Sequence, residues 1–413
     1  MGTSWVQLAS HRNWLAAEAD RIVDFAQRSV HPAGGFAWQS DDGAPELARP
    51  VELWITTRMV HVLGLAHLWG RPGVGALVDQ GVSALAGRFH DPEHGGWYSS
   101  LDDAGPVLTD KRAYEHAFVV LAAATALHAG RRGAADLLTE ALAVQERHFW
   151  REDDGLVVDV WKQDWTGCEA YRGVNANMHT VEAYLAAADA GADPVWRRRA
   201  LRITERVVHG WAKANHWRIP EHFDQHWQPL PEYNVDDPGH PFRPYGATIG
   251  HALEWARLCL HVHACLAAVP GGNAPDWLIE DAVALFDAAT RDGWAADGAD
   301  GFVYTTGWDG APVVRQRLFW VVCEGIATAA ALAAVTGNAR FERPYRRWWD
   351  YAEQHFVDRA LGNWRHELDP QNRPAATIWQ GKPDSYHALQ TTLIPRLPLA
   401  PTMAAALARG LLS

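Results

Sequence analysis

Apolar residues return at helical spacing in a series of Ala- and Leu-rich stretches, at 113–129, 134–149, 177–190, 194–214, 251–268 and 317–335. Each reads as a helix. Between them the pattern breaks at acidic, glycine-rich turns that restart the chain, mostly on an aromatic residue. The turn occurs as His31-Pro32-Ala33-Gly34-Gly35-Phe36, as Phe89-His90-Asp91 leading to Gly95-Gly96-Trp97, and as His148-Phe149-Trp150 leading to Gly155-Leu156. A degenerate copy runs from Trp211 to Trp217. Gly301-Phe302 follows, and then Phe356-Val357-Asp358 leading to Gly362-Asn363-Trp364. The restart positions 36, 97, 156, 217, 302 and 364 lie 61, 59, 61, 85 and 62 residues apart. Such near-constant spacing marks a repeat architecture.

A unit of about sixty residues holds two helices of about a dozen residues and two connections. Six such hairpins closing on themselves predict an all-α fold, an (α/α)6 barrel of twelve helices in two concentric rings. The glycine turns are expected at one end and the longer loops at the other. The long interval places its extra residues mainly in loop 220–245, directly before His251. Long irregular loops in compact folds usually carry function. Without a Ser/Pro-rich linker, residues 1–413 read as a single domain.

Composition narrows the function classes. No run of eighteen apolar residues occurs in the 413-residue chain, so no membrane span is expected. The start, Met1-Gly2-Thr3-Ser4-Trp5, has neither a basic segment nor an apolar one, which argues against secretion. Cys168, Cys259, Cys265 and Cys323 form no Cys-x-x-Cys pair and read as reduced thiols of a cytoplasmic protein. A net charge of −12 disfavours nucleic acid as a partner. The excess of 22 Trp and 21 His supplies flat apolar walls and groups that titrate near neutrality, although a GC-rich codon bias enriches Trp as well.

The candidate chemistry gathers where loops run into helices. In Gly250-His251-Ala252-Leu253-Glu254, His251 and Glu254 are three apart and share a helix face, an arrangement that suits acid–base work. A cap or surface pair is the commoner reason for such spacing. Trp54-Ile55-Thr56-Thr57-Arg58 heads an apolar helix, where an arginine needs an oxyanion or a carboxylate. Tyr114-Glu115-His116 and Asn175-Ala176-Asn177-Met178-His179 open two more helices, and Trp379 to His387 leads into another. Each junction alone reads as structural. Together, in successive repeats of a barrel, they converge on one pocket. No metal site is suggested, because His-Glu-x-x-His is absent and His261-x-His263 lies inside an apolar stretch.

With these residues in view, Gly250-His251-x-x-Glu254-Trp255-x-Arg257-Leu258 and Gly381-Lys382-Pro383-Asp384-x-Tyr386-His387 resemble the N-acylglucosamine 2-epimerase superfamily across the whole chain. Glu-Trp-x-Arg-Leu is similar to its aldose–ketose isomerase branch, which includes mannose and sulfoquinovose isomerases. Ile249 departs from the proline that often precedes Gly-His in that family. The resemblance implies the same barrel and a cofactor-free, metal-free isomerase of a monosaccharide, either monomeric or homo-oligomeric. It implies that His387 moves the proton between C1 and C2, and that His251, oriented by Glu254, opens the ring. Arg58 and His179 are implied at the O1/O2 edge, Tyr114, Asn175, Glu324 and Asp384 at hydroxyls, and Trp54, Trp320 and Trp379 as walls.

The expected reaction interconverts D-mannose and D-fructose through an enediolate. The alternatives are a sulfoquinovose isomerase, for which Arg243 offers a sulfonate contact, or a 2-epimerase acting on N-acylglucosamine or cellobiose. A glycoside hydrolase or lyase calls for two flanking carboxylates, whereas histidines outnumber acids at these junctions. A sugar-binding protein without activity needs the tryptophans but not the histidine pair.

Overall fold

The computed structural model describes residues 4–413; Met1–Thr3, part of the start read above as lacking a leader, lie outside the described residues. Outer and inner helices alternate along the chain. They are α1 (Ala9–Ala26) and α2 (Leu53–Leu68), α3 (Gly75–Ala86) and α4 (Ala113–His128), α5 (Ala134–Val144) and α6 (Val174–Asp189). The series continues with α7 (Val195–Thr204) and α8 (Ile249–Ala267), α9 (Trp277–Gly293) and α10 (Phe319–Thr336), α11 (Glu342–His355) and α12 (Tyr386–Leu393). A short α13 (Met403–Ala408) follows. The even-numbered helices pack in sequence, and α12 returns to α2, so the inner ring closes. Each outer helix lies on an inner one, with α1 completing the circle against α12. This is the (α/α)6 barrel that the spacing predicts.

Burial explains the difference in composition between the rings. Inner helices are covered on every face, so α4 and α10 are apolar nearly throughout. Helix α10 is long and apolar enough by composition to cross a membrane, yet it stands between α8 and α12 with its length mostly buried and Glu324 near its start. Outer helices such as α11 bury one stripe only. Both α5 and α7 run on into π-helical turns, Gln145–Phe149 and Glu205–Ala212, which lengthens them towards the predicted limits 149 and 214.

One expectation is corrected. The glycine turns and the long loops belong to the same outer-to-inner connection and lie at the same end of the barrel. The other end carries the short inner-to-outer links such as 129–133 and 190–194, together with the segment that follows α12. The restart residues pair back across their turns, as Val30 with Phe36, His90 with Trp97, Trp294 with Phe302 and Val357 with Trp364. Trp217 makes no such pair among the described residues and takes φ +68°, which is why that copy looks degenerate.

A second regularity had no trace in the hydropathy. Two extended residues precede each of five inner helices, and they pair antiparallel with the following repeat, as in Val51 with Leu101, Lys111 with Trp161 and Arg172 with Phe223. The first N–H of each helix then donates to that repeat: Leu53 to the Ser99 carbonyl, Ala113 to Asp159, Val174 to Glu221, Ile249 to Tyr304 and Phe319 to His366. None of these helices has a side-chain cap. The neighbouring repeat satisfies an otherwise orphaned donor instead. The ring closes where Lys382 N–H donates to Gln39 O at 2.8 Å. Gly381 permits that approach, since it has φ +67° and a Cβ there would stand 2.4 Å from the Gln39 carbonyl oxygen.

Candidate active site

Because every inner helix enters from the stitched end, their first turns converge on one small cavity. Trp54 and Arg58 come from α2, Tyr114 from α4, Asn175 and His179 from α6, and His251 and Glu254 from α8. Trp320 comes from α10, and Asp384 and His387 from the start of α12, while Trp379 reaches in from the preceding loop. Of the residues expected at the site, only Glu324 does not line the cavity. It lies directly behind His387.

Of the four imidazoles lining this cavity, His179, His251, His366 and His387, two are held from behind by a carboxylate at hydrogen-bond distance. Nδ1 of His387 lies 2.8 Å from Glu324 Oε1. Nδ1 of His251 lies 3.0 and 3.1 Å from the two oxygens of Glu221. A carboxylate only accepts, so both rings carry hydrogen on Nδ1, and in its neutral form each presents Nε2 as the lone-pair nitrogen. Trp320 stands against both, with ring centroids 5.4 Å from His251 and 5.7 Å from His387. Its position depends on Gly250, where a Cβ would come within 2.1 Å of the indole.

The partner of His251 is therefore not the residue expected. The side chain of Glu254 turns along α8 towards Arg257, whose Nη2 donates to it at 3.3 Å, and lies 3.9 Å from Nδ1 of His179. Glu221 sits thirty residues before His251 in an irregular loop, where helical periodicity gives no signal. A repeat-aligned reading would have found it. Glu221 occupies the strand position whose carbonyl caps the previous inner helix, and its equivalents Tyr304 and His366 also line the cavity. Glu221→Gln is expected to lower kcat/KM roughly 10²-fold, by losing the tautomer of His251. Steady-state kinetics checks this, and an unchanged value would show that His251 needs no carboxylate.

On the opposite wall, Arg58 Nη1 donates to Asp384 Oδ2 at 2.9 Å and Nη2 donates to Tyr114 Oη at 2.8 Å. The guanidinium also lies over Phe118 and Tyr386. Asp384 accepts from the Tyr386 N–H, so it holds the cation and the start of α12 together. Asp384 thus makes contacts within the protein while also lining the cavity, and Glu324 makes its contacts behind it.

Burial governs ionisation here. It pushes His179 down to about 4, so the ring is neutral, with Glu182 and Arg58 acting in opposite directions on it. It also lowers His387, an effect that Glu324 partly offsets. Burial would raise Glu324, but Arg257 and then His387 outweigh it and hold the carboxyl down. Glu254 is pushed well above the usual carboxylate range by burial and then by Glu324.

Loop 220–245 forms the roof. Phe242 packs against Trp54, Tyr114 and Trp379, with centroids 5.4–6.1 Å apart. Beneath it the cavity measures about 60 Å³, and above it a vestibule of about 770 Å³ opens past Trp38 and Glu52. The loop is tied down where Arg243 donates to Glu169 at 2.6 Å and stacks on Tyr171, and where Asn234 donates to the Arg243 carbonyl.

Residues 34–391 match the N-acylglucosamine 2-epimerase (GlcNAc 2-epimerase) family. The chain belongs to that family. It is similar to a D-mannose isomerase of Thermobifida fusca, 53% identical over 98% of this chain and 99% of the relative. A second D-mannose isomerase, from Pseudomonas cannabina pv. alisalensis, is 48% identical over 98% of this chain and 97% of its own. Among solved structures of the family's fold, a crystal structure of D-mannose isomerase superimposes with a TM-score of 0.85 at 28% identity, covering 92% of this chain and 95% of that one. The family thus accounts for the barrel.

Proposed function

We propose that residues 4–413 act as one catalytic domain that interconverts D-mannose and D-fructose without a cofactor. The observation that carries this reading is the pair of imidazoles, each with a carboxylate at Nδ1, facing one cavity among sugar-sized aromatic walls. The similarity to D-mannose isomerases over nearly the full chain supports the substrate.

The chemistry follows from the tautomers. Nε2 of His387 takes the proton from C2 of the open-chain aldose, and the electrons pass to the C1 carbonyl as an enediolate forms. The same nitrogen returns the proton to C1 while a proton passes from O2 to O1, leaving the ketone at C2. His251 exchanges a proton with the ring oxygen, which opens and closes the pyranose. Tyr114 Oη accepts from Arg58 and is left free to donate its own hydrogen to the O1/O2 edge, where the neutral His179 also stands. Donors fixed in a buried site stabilise developing charge more than water does. Arg243, already paired with Glu169, offers a poor contact for a 6-sulfonate.

Turnover of mannose, sulfoquinovose, N-acetylmannosamine and cellobiose, measured side by side in deuterium oxide, tests the reading. Fructose formation from mannose with label at C1 or C2 is expected, whereas activity on the sulfonate alone would overturn it. The pH profile of kcat/KM is a separate check. Burial disfavours the His387 cation, so the base form survives as pH falls and the acid limb is expected below the ordinary histidine value of 6.5. A limb above 6.5 contradicts this assignment.

A further inference from the structure

Arg257 lies one turn below the pocket in α8, is 2% exposed, and is not among the residues lining the cavity. Its Nε donates to Glu324 Oε2 at 2.7 Å, and its Nη2 donates to Glu254 Oε1 at the longer distance of 3.3 Å. The other oxygen of Glu324 holds His387 Nδ1 at 2.8 Å. Guanidinium, carboxylate and imidazole therefore form one chain ending at the ring that faces the sugar. A carboxylate oxygen of Glu254, one of Glu324 and a ring nitrogen of His387 all lie within 4.8 Å of one another. Two carboxylates that close do not both ionise in a buried site unless a cation compensates them. Arg58 is committed to Asp384, which leaves Arg257 for this task. The other titratable groups that interact with its charge are Glu182 of α6, His261 of its own helix and Tyr386 of α12.

We propose that Arg257 is a positioning residue that holds Glu324 ionised and in line with His387, fixing the imidazole with hydrogen on Nδ1 and Nε2 towards the sugar, and that leaves Glu254 as the neutral acid of the pocket. The inference rests on the isomerase reading only for the identity of the proton that His387 moves. Burial and the charge of Glu324 both push the Glu254 carboxyl up, in agreement with this division. The fork geometry explains the choice of arginine. A lysine supplies the charge but cannot donate along two fixed directions to two acids.

The test uses the full chain with Arg257→Met and Arg257→Lys, histidine ring ¹⁵N spectra at neutral pH, and steady-state kinetics. In the wild type, His387 is expected as a single Nδ1–H tautomer. In Arg257→Met the ring is expected to mix tautomers, and kcat to fall by about 10²-fold with KM changed by less than about threefold. Arg257→Lys is expected to recover about tenfold of that loss. In a Glu324→Gln background, Arg257→Met is expected to add little, because the route through Glu324 is already cut. Should Arg257→Met not fold, tautomer mixing and a kcat loss at constant KM in Arg257→Lys carry the same decision. An unchanged His387 tautomer with unchanged kcat in a folded variant overturns the inference, as does an undiminished effect in the Glu324→Gln background. A wild type inactive on every sugar would sink the isomerase reading, while the tautomer spectra still decide the role of Arg257.

Discussion

Replacing His387 by Asn is expected to reduce kcat/KM for the aldose by about 10³- to 10⁴-fold while leaving the melting temperature nearly unchanged. The size follows from what a positioned base contributes to proton transfer, about 10²–10⁴-fold, and this base has no substitute near C2. His251 is held by a different carboxylate on a different element, the neutral His179 has Glu182 3.6 Å from its Nδ1, and His366 Nε2 lies 3.1 Å from the Asp384 carbonyl oxygen. Asparagine keeps a polar group beside Glu324, so the pocket loses its base without gaining an empty cavity. The decisive measurement is exchange of the C1 and C2 hydrogens with solvent deuterium, which should fall in step with turnover. A variant that keeps turnover within tenfold of wild type would move the proton transfer to another residue.

Arg58→Met is expected to be costly in two separable ways. Losing the cation removes charge from the O1/O2 edge and frees Tyr114, for a drop in kcat of about 10²–10³-fold. It also strands Asp384, which is 5% exposed and accepts from no other side chain among the described residues. Removing one partner of a buried ion pair costs about 3–5 kcal/mol. The pH dependence distinguishes this from lost packing. In the wild type burial raises the Asp384 carboxyl, but Arg58, together with His366, His387 and the Tyr386 N–H, outweighs it and holds the group below its ordinary value. The pair therefore stabilises the fold above about pH 4, and that contribution is lost as pH falls through the folded value. In the variant burial acts without Arg58, so the carboxyl rises and protonation relieves the penalty. The gap in melting temperature between wild type and Arg58→Met is expected to narrow as pH is lowered from 8 towards 4. A constant gap would mean that Asp384 is not the source of the cost.

The barrel was legible because it is written in one dimension. Near-equal restart intervals and six apolar helical stretches suffice to count hairpins, and burial on all faces keeps inner helices apolar over their whole length. The site was legible to the extent that it lies on helix starts, where Arg58, His179, His251 and His387 stand in comparable places in the repeats. Glu221 was not legible, because its link to His251 is made through strand pairing between neighbouring repeats, and nothing in local spacing records a neighbour in space. The same holds for Glu324 and Glu254, whose roles turn on Arg257. A His-x-x-Glu spacing suggests a pair, but the carboxylate can swing along the helix as easily as across it, and the buried guanidinium decides the direction. The position of the glycine turns was misjudged for a related reason. A repeat period gives the number of connections but not which end each occupies.

The roof over the pocket has a kinetic meaning. Phe242 rests on Trp54 and Trp379 and borders both the inner cavity and the vestibule, so a sugar moving between the two passes that ring. If the loop must move for that passage, each turnover includes two such displacements, one to admit the aldose and one to release the ketose. Motions of that size run on microsecond to millisecond timescales and set the pace of many enzymes whose chemistry is fast. Where that passage limits turnover, the ties that Arg243 makes to Glu169 and Tyr171 set its pace.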